Sequence, residues 1–278
     1  MLCDQCPRNC AAERTETRSA GVCAMPETVL VARAALHHWE EPPISGTRGA
    51  GTVFFSGCNL RCVFCQNSVI SQEGVGKRVS PARLREIFEE LIAQGAHNID
   101  LVTPTHFSHV LREVLQKPLP VPVIWNSGGY ETVKTLRRLE GLVQIYLPDL
   151  KYLSSEKAGR YSSAKDYPQA ATAAIREMVR QTGPCVLDGE GILQRGVIIR
   201  HLLLPGGLTE AKAVLFSLMS QYVPLGRAAE CPEIDRPLRK SEIRNAQAYM
   251  AALELPGFTQ DPDSASEGYV PSFDLTGV

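Results

Sequence analysis

Three cysteines stand together in the run Gly57-Cys58-Asn59-Leu60-Arg61-Cys62-Val63-Phe64-Cys65, a Cys-x3-Cys-x2-Cys spacing. Three thiolates on one short loop can hold three irons of a [4Fe–4S] cube. The fourth iron then lacks a protein ligand, and an open metal position marks a catalytic site rather than a structural one. A small chelator such as an amino acid could close it through its amine and carboxylate. The plainer reading is three unrelated buried or zinc-binding cysteines. A structural zinc would want a fourth Cys or His close by, and the stretch through Asn67 adds none.

A second set, Cys3, Cys6, Cys10 and Cys23, has the spacing Cys-x2-Cys-x3-Cys-x12-Cys. Four cysteines so close can complete a tetrahedral shell, as a structural zinc or a second, closed cluster organising a lobe with little core of its own. A redox-active or plainly reduced set of thiols is the alternative. Cys185 and Cys231 are isolated and read as core or incidental cysteines.

The rest of the composition is ordinary. The chain has 278 residues, 44% hydrophobic and 21% charged, with 29 Lys+Arg against 30 Asp+Glu. This excludes a disordered or fibrous protein. A net charge of −1 gives no pull toward nucleic acid or an anionic membrane. There is no apolar signal core at Met1–Cys6 and no run of 18 apolar residues, so a cytoplasmic protein is expected. In that compartment nine cysteines mean metal or redox chemistry rather than a disulfide framework.

The elements that must position these residues alternate. Strands are expected at Thr52–Ser56, Ile99–Val102, Val121–Trp125, Leu142–Leu147 and Gly196–Leu204, with a sixth near Leu218–Tyr222. Between them lie helical periods: one capped by Ser80 with Pro81 behind it and stopped by Gly95, one ending before Pro118, one carrying Val133, Leu136 and Leu139, and one near 168–182. A further helix is expected at 240–253. Strand–helix alternation gives βαβ units and a parallel sheet. Eight units need about 250 residues, so the expectation is an α/β fold with a partial (β/α)6 TIM-like barrel over 47–255. A small Cys-rich lobe at 1–46 precedes it, joined through a linker at Glu40–Gly46, and a loose tail at 256–278 follows. A flavodoxin-like or Rossmann sheet is the alternative, without a Gly-x-Gly-x-x-Gly motif behind it.

The cysteine triplet, with Phe64 before its last member, resembles the radical S-adenosylmethionine (SAM) superfamily. Leu101–His106, Trp125–Glu131, Leu147–Tyr152, Arg200–Gly206 and Met219–Tyr222 are similar, in order, to PflX-like proteins related to pyruvate formate-lyase activating enzyme. The resemblance implies a [4Fe–4S] cluster on Cys58, Cys62 and Cys65 that binds SAM. One-electron reduction, by a donor such as flavodoxin or ferredoxin, would release a 5′-deoxyadenosyl radical that takes hydrogen from a substrate. That substrate is a small molecule or a protein; the runner-up reading is an activase acting on a glycine of a partner enzyme. A reading of another class is an iron–sulfur or zinc protein for electron transfer or scaffolding.

The resemblance also maps residues onto the cofactor. Thr103-Pro104-Thr105 follows the second strand, where backbone would meet the SAM amino group; the other reading is a turn fixed by Pro104. Asn126 and Ser127 stand where activases place an acidic residue toward a monovalent cation, and asparagine lacks that charge. Asp149 and Lys151 match an Asp-x-Lys that contacts SAM, or form a barrel-lining salt bridge. Alternation sends Arg200 and His201 to opposite faces. The resemblance assigns Arg200 to the SAM carboxylate, and His201 is either a further cofactor contact or a satisfied core histidine. The segment Thr209–Phe216 is short for the helix the family places there, which puts the last unit's helix or strand out of its usual position.

Overall fold

The computed structural model describes residues 3–17, 19–205, 215–252, 257–260 and 270–278. Gly206-Gly207 and most of the short 209–216 segment lie outside them. In chain order the elements begin with β1 (Val29–His37), α1 (Pro42–Ser45), β2 (Ala50–Phe55), α2 (Ser68–Ser71), β3 (Lys77–Val79), α3 (Pro81–Ala93), β4 (Ile99–Val102), α4 (Ser108–Val114) and β5 (Val123–Ser127). They continue with α5 (Val133–Arg137), β6 (Ile145–Pro148), α6 (Ser155–Ser162), α7 (Tyr167–Thr182), β7 (Val186–Leu187), β8 (Leu193–Leu202), β9 (Leu215–Met219), α8 (Lys240–Ala252) and β10 (Gly257–Thr259).

The sheet runs β10-β9-β8-β6-β5-β4-β2-β1-β3, and from β2 to β10 all neighbours are parallel. Strands β2, β4, β5, β6, β8 and β9 follow one another in chain order. No topological switch point interrupts them, which rules out the doubly wound alternative. The sheet ends at β10 and β3 without closing, so the fold is the expected partial barrel of six units. The sixth strand starts three residues before the predicted one and pairs with β8 from Ile198↔Leu215 to Leu202↔Met219.

The central strands are buried on both faces, as parallel strands under helices must be. Alternation separates the two sides. Leu101, Trp125, Tyr146 and Val197 join the large core beneath the helices. Ala50, Ile124, Ile145, Leu147 and Ile198 form a separate interior cluster, closed by Ile44 from α1 and Leu193. One step further along the same interior face come Thr52, Asp100, Asn126, Asp149 and Arg200. The barrel floor is thus apolar, and polar groups begin above it.

Local signals account for the helix starts. The Ser80 hydroxyl accepts the Arg83 N–H at 3.1 Å, with Pro81 at the first turn of α3. Gly95 then turns the chain with φ +97°. Val29–His37 forms a nine-residue strand antiparallel to β2. Two expectations need correction. The supposed linker at Glu40–Gly46 is ordered, with Glu41 and Ile44 at 5% and 0% exposure. The described parts of the tail are pinned rather than loose. Gly257–Thr259 pairs with β9, and Ala34 and Leu275 form main-chain hydrogen bonds to Thr276 and Ala32 across β1. No helix among the described residues is long and apolar enough to cross a membrane.

Candidate active site

The cysteine loop leaves the C-terminal end of β2. Gly57 has φ +80°, and a Cβ there would stand 2.2 Å from the Met25 side chain, so only glycine fits. Arg61 adopts φ +54°, the left-handed region, immediately before Cys62. Each sulfur receives a donor. The Leu60 N–H meets Cys58 Sγ at 3.3 Å, the Ser162 hydroxyl meets Cys62 Sγ at 2.9 Å, and the Ser71 hydroxyl meets Cys65 Sγ at 3.3 Å. Phe64 is buried edge-on among Tyr152, Tyr161 and Tyr222 at 6.1–6.3 Å, which anchors the loop beside Cys65. Burial, reinforced by the neighbouring thiols, pushes Cys58 up to about 12 and also raises Cys65. Only a strong positive charge, such as bound metal, makes thiolates favourable there.

The sulfurs border a cavity of about 380 Å³ whose walls come from the ends of β2, β4, β5, β6, β8 and β9. Opposite them Arg200 is the hub of a buried charge network. Its Nε donates to Asp149 Oδ1 at 3.0 Å, Nη1 to Glu40 Oε2 at 3.1 Å and Nη2 to Asn126 Oδ1 at 2.5 Å. Lys151 Nζ donates to the other Asp149 oxygen at 2.7 Å. Burial alone would raise the Asp149 carboxyl, but Arg200 and Lys151 outweigh it and hold it below the ordinary range. Burial alone would lower Lys151, but Asp149 and the Cys62 side chain outweigh it and its net shift is upward. Asp100 lies beneath, fully buried, with Asn126 Nδ2 donating to it at 3.3 Å. Burial and the nearby Glu40 push the Asp100 carboxyl well above its ordinary value.

Of the residues singled out in the sequence, Cys58, Cys62, Cys65, Thr103, Asn126, Ser127, Asp149, Lys151 and Arg200 line this cavity. Thr103 does so at φ +59°, with its N–H bonded to the Asn126 carbonyl at 2.8 Å. Pro104 and Thr105 do not line it. Thr105 is buried behind, donating to Glu131 Oε1 at 2.5 Å, so that part of the segment is a turn. Arg200 itself lines the cavity, with three of its five N–H groups engaged by Asp149, Glu40 and Asn126. His201 faces the outer core instead. Its Nδ1 lies 2.6 Å from the Leu150 carbonyl and its ring stacks on Phe216 at 6.2 Å, which is the satisfied core histidine.

Glu40 and Glu41 are the residues that sequence reasoning missed. Both line the cavity, and the Ser217 hydroxyl holds Glu41 at 2.9 Å. Their only sequence signal is a pair of acids beside two prolines, which reads as solvent-exposed linker. Cys3, Cys6, Cys10 and Cys23 stand apart from the cavity lining, in the adjoining N-terminal segment.

The superfamily model described as Radical SAM superfamily matches residues 52–186. An uncharacterized protein of Methanocaldococcus jannaschii, MJ0674, is 30% identical over 266 residues, covering 88% of this chain and 72% of the relative. The chain belongs to the radical SAM superfamily. Membership in that superfamily implies an enzyme that uses a [4Fe–4S] cluster and SAM. Among solved structures, the chain is similar to SuiB of Streptococcus suis bound to SAM, at 11% identity and a TM-score of 0.47, over 74% of this chain and 48% of that one. It is also similar to methylornithine synthase, PylB, at 16% identity and a TM-score of 0.38, over 54% and 44%. The chain therefore spans about half the length of those proteins.

The donor set fits the cluster. Among the described residues, no three His, Cys, Asp or Glu side chains close round one point as a single metal ion requires. A cube instead spreads its thiolates over separate irons and leaves one iron facing the open cavity.

Proposed function

We propose that Cys58, Cys62 and Cys65 hold the superfamily's [4Fe–4S] cluster, that the cavity beside them receives SAM, and that the enzyme takes hydrogen from a substrate bound in the same cavity. The observation that carries this reading is the juxtaposition of three sulfurs with the Lys151–Asp149–Arg200 network across one cavity. When bound, cluster and SAM supply a 5′-deoxyadenosyl radical after one-electron reduction, the electron coming from a flavodoxin- or ferredoxin-type donor.

The protein's part is positioning and exclusion of water. The serine hydroxyls and the Leu60 N–H orient the sulfurs. Thr103 and Ser127 present strand-end polar groups at the cavity wall. Lys151 places a cation between Asp149 and the cysteine loop, where an anionic ligand group is attracted. Arg200 locks Asp149, Asn126 and Glu40 in place. Phe54, Phe55, Leu60 and Ile70 give the cavity an apolar side, which keeps water from a radical.

The test is anaerobic. Protein reconstituted with iron and sulfide, then given dithionite and SAM, is expected to form 5′-deoxyadenosine, and Cys62→Ala is expected to form none. An intact, reducible cluster that yields no 5′-deoxyadenosine would overturn the reading.

A further inference from the structure

The segment from Cys3 to Met25 folds without an apolar interior of its own. Its aliphatic residues are alanines, Met25 and Val22, and Val22 is 40% exposed. What it buries is sulfur: Cys3, Cys6 and Cys23 are 7%, 8% and 7% exposed, while Cys10 lies at the surface edge. All four are free thiols. Main-chain hydrogen bonds fold the segment back on itself, from the Cys3 N–H to the Ala12 carbonyl at 3.0 Å and from the Asn9 N–H to the Cys6 carbonyl at 3.1 Å.

The backbone around them is held in unusual conformations. Asn9 and Ala11 flank Cys10 at φ +40° and +45°, and Ala24 follows Cys23 at +57°. Such conformations persist only where the surroundings over-determine them. The loop on Cys58–Cys65 carries the same feature at Arg61. Gly21 leaves room beside Cys10, since a Cβ there would lie 3.2 Å from its sulfur.

The segment is fixed to the catalytic loop. Arg8 donates to the carbonyls of Asn59, Leu60, Ser162 and Ser163. Gly57 packs against the Cys23 carbonyl. On the other side, Thr135 and Ser108 hydroxyls bond Gln5, and Lys134 pairs with Asp4.

We propose that Cys3, Cys6, Cys10 and Cys23 hold a second iron–sulfur cluster, a [4Fe–4S] cube with every iron ligated by protein. Three buried thiols with a fourth at the edge, in a segment with little apolar filling of its own, call for a metal centre. A single zinc would draw its sulfurs to about 2.3 Å from one point. No three of the described candidate ligands converge in that way. The four thiols share this with the catalytic triplet, and a cube separates its thiolates over different irons. With four ligands supplied, this cluster has no vacancy for SAM. The inference does not depend on SAM cleavage.

The experiment counts metal in the full chain. Anaerobically reconstituted protein is expected to hold about 8 irons and 8 sulfides, with negligible zinc. The Cys58→Ala/Cys62→Ala/Cys65→Ala variant should keep about 4 irons, and its dithionite-reduced electron paramagnetic resonance signal should not change when SAM is added. Cys6→Ala/Cys23→Ala should keep the other half, with a signal that does respond to SAM. Mössbauer spectra of the unaltered protein count the clusters even if that variant fails to fold. A wild-type content of about 4 irons with none in the triple variant, or about 1 zinc per chain at the N-terminal cysteines, would overturn the proposal.

Discussion

Arg200 is the centre of the buried charge network at the cavity wall. It is 12% exposed and joined to two carboxylates and an amide. A buried ion pair contributes little over an apolar replacement, but removing one partner strands the other. Arg200→Met leaves Glu40 without its cation and Asp149 with Lys151 alone, so denaturant unfolding should show a loss of about 3 kcal/mol. Arg200→Lys keeps the charge but cannot span three acceptors at once. We expect Arg200→Lys to recover most of the stability while the KM for SAM stays raised about tenfold, because Asp149 and Asn126 lose their shared anchor. Full recovery of both would show that charge alone is needed.

At the scale of elements, strand ends and the turns after them decide the site's shape. The turn after β5 places Gly129 at φ +72°, and a Cβ there would stand 2.3 Å from the Asp149 carbonyl, which is backbone and cannot swing aside. Gly129→Ala should therefore cost at least about 2 kcal/mol and push the β6 end outward. Thermal melts would register the first effect and weaker SAM binding by calorimetry the second. An alanine variant with unchanged melting would mean the turn relaxes freely. The contrast with Gly141 is instructive, because its φ is also positive yet a Cβ there meets nothing within 4 Å.

Over the whole molecule, the N-terminal segment, β2 and the β4–α4 turn are stitched together through His106. Its Nε2 lies 2.7 Å from the Ser56 carbonyl, and its own carbonyl accepts from Arg14 at 2.6 Å. Burial pushes its pKa down to about 3. The unfolded chain takes up this proton near pH 6.5, so between about pH 6.5 and 3 the unfolded state binds more protons and stability falls as pH falls. At pH 5 the loss from this one group is about 2 kcal/mol. Unfolding measured from pH 7.5 to 5 should show that slope, and His106→Gln should flatten it. An identical slope in the variant would place the acid sensitivity elsewhere.

Local chemistry made part of this protein legible from its residues alone. The thiol spacing specified a cluster loop at a strand end, because ligand number and short-range geometry are properties of a few adjacent residues. Alternating apolar runs specified six parallel strands, and Ser80, Pro81 and Gly95 set the ends of α3. Alternation placed Asp149 with Lys151 and separated Arg200 from His201, while the family resemblance pointed to Asn126, Asp149 and Arg200. Tertiary structure decided what depends on distant partners. Glu40 and Glu41 read as linker until the folded sheet brought them to Arg200 and Ser217. The partners of Arg200, which are Asp149, Glu40 and Asn126, became visible only in the fold. His201 resolved into a core residue only when Leu150 and Phe216 were placed around it. The N-terminal cysteines acquired their setting from Arg8 and Asn59, which are 51 residues apart. Burial and charge compensation come from the assembled fold, and no spacing along the chain encodes which side chains will share one cavity.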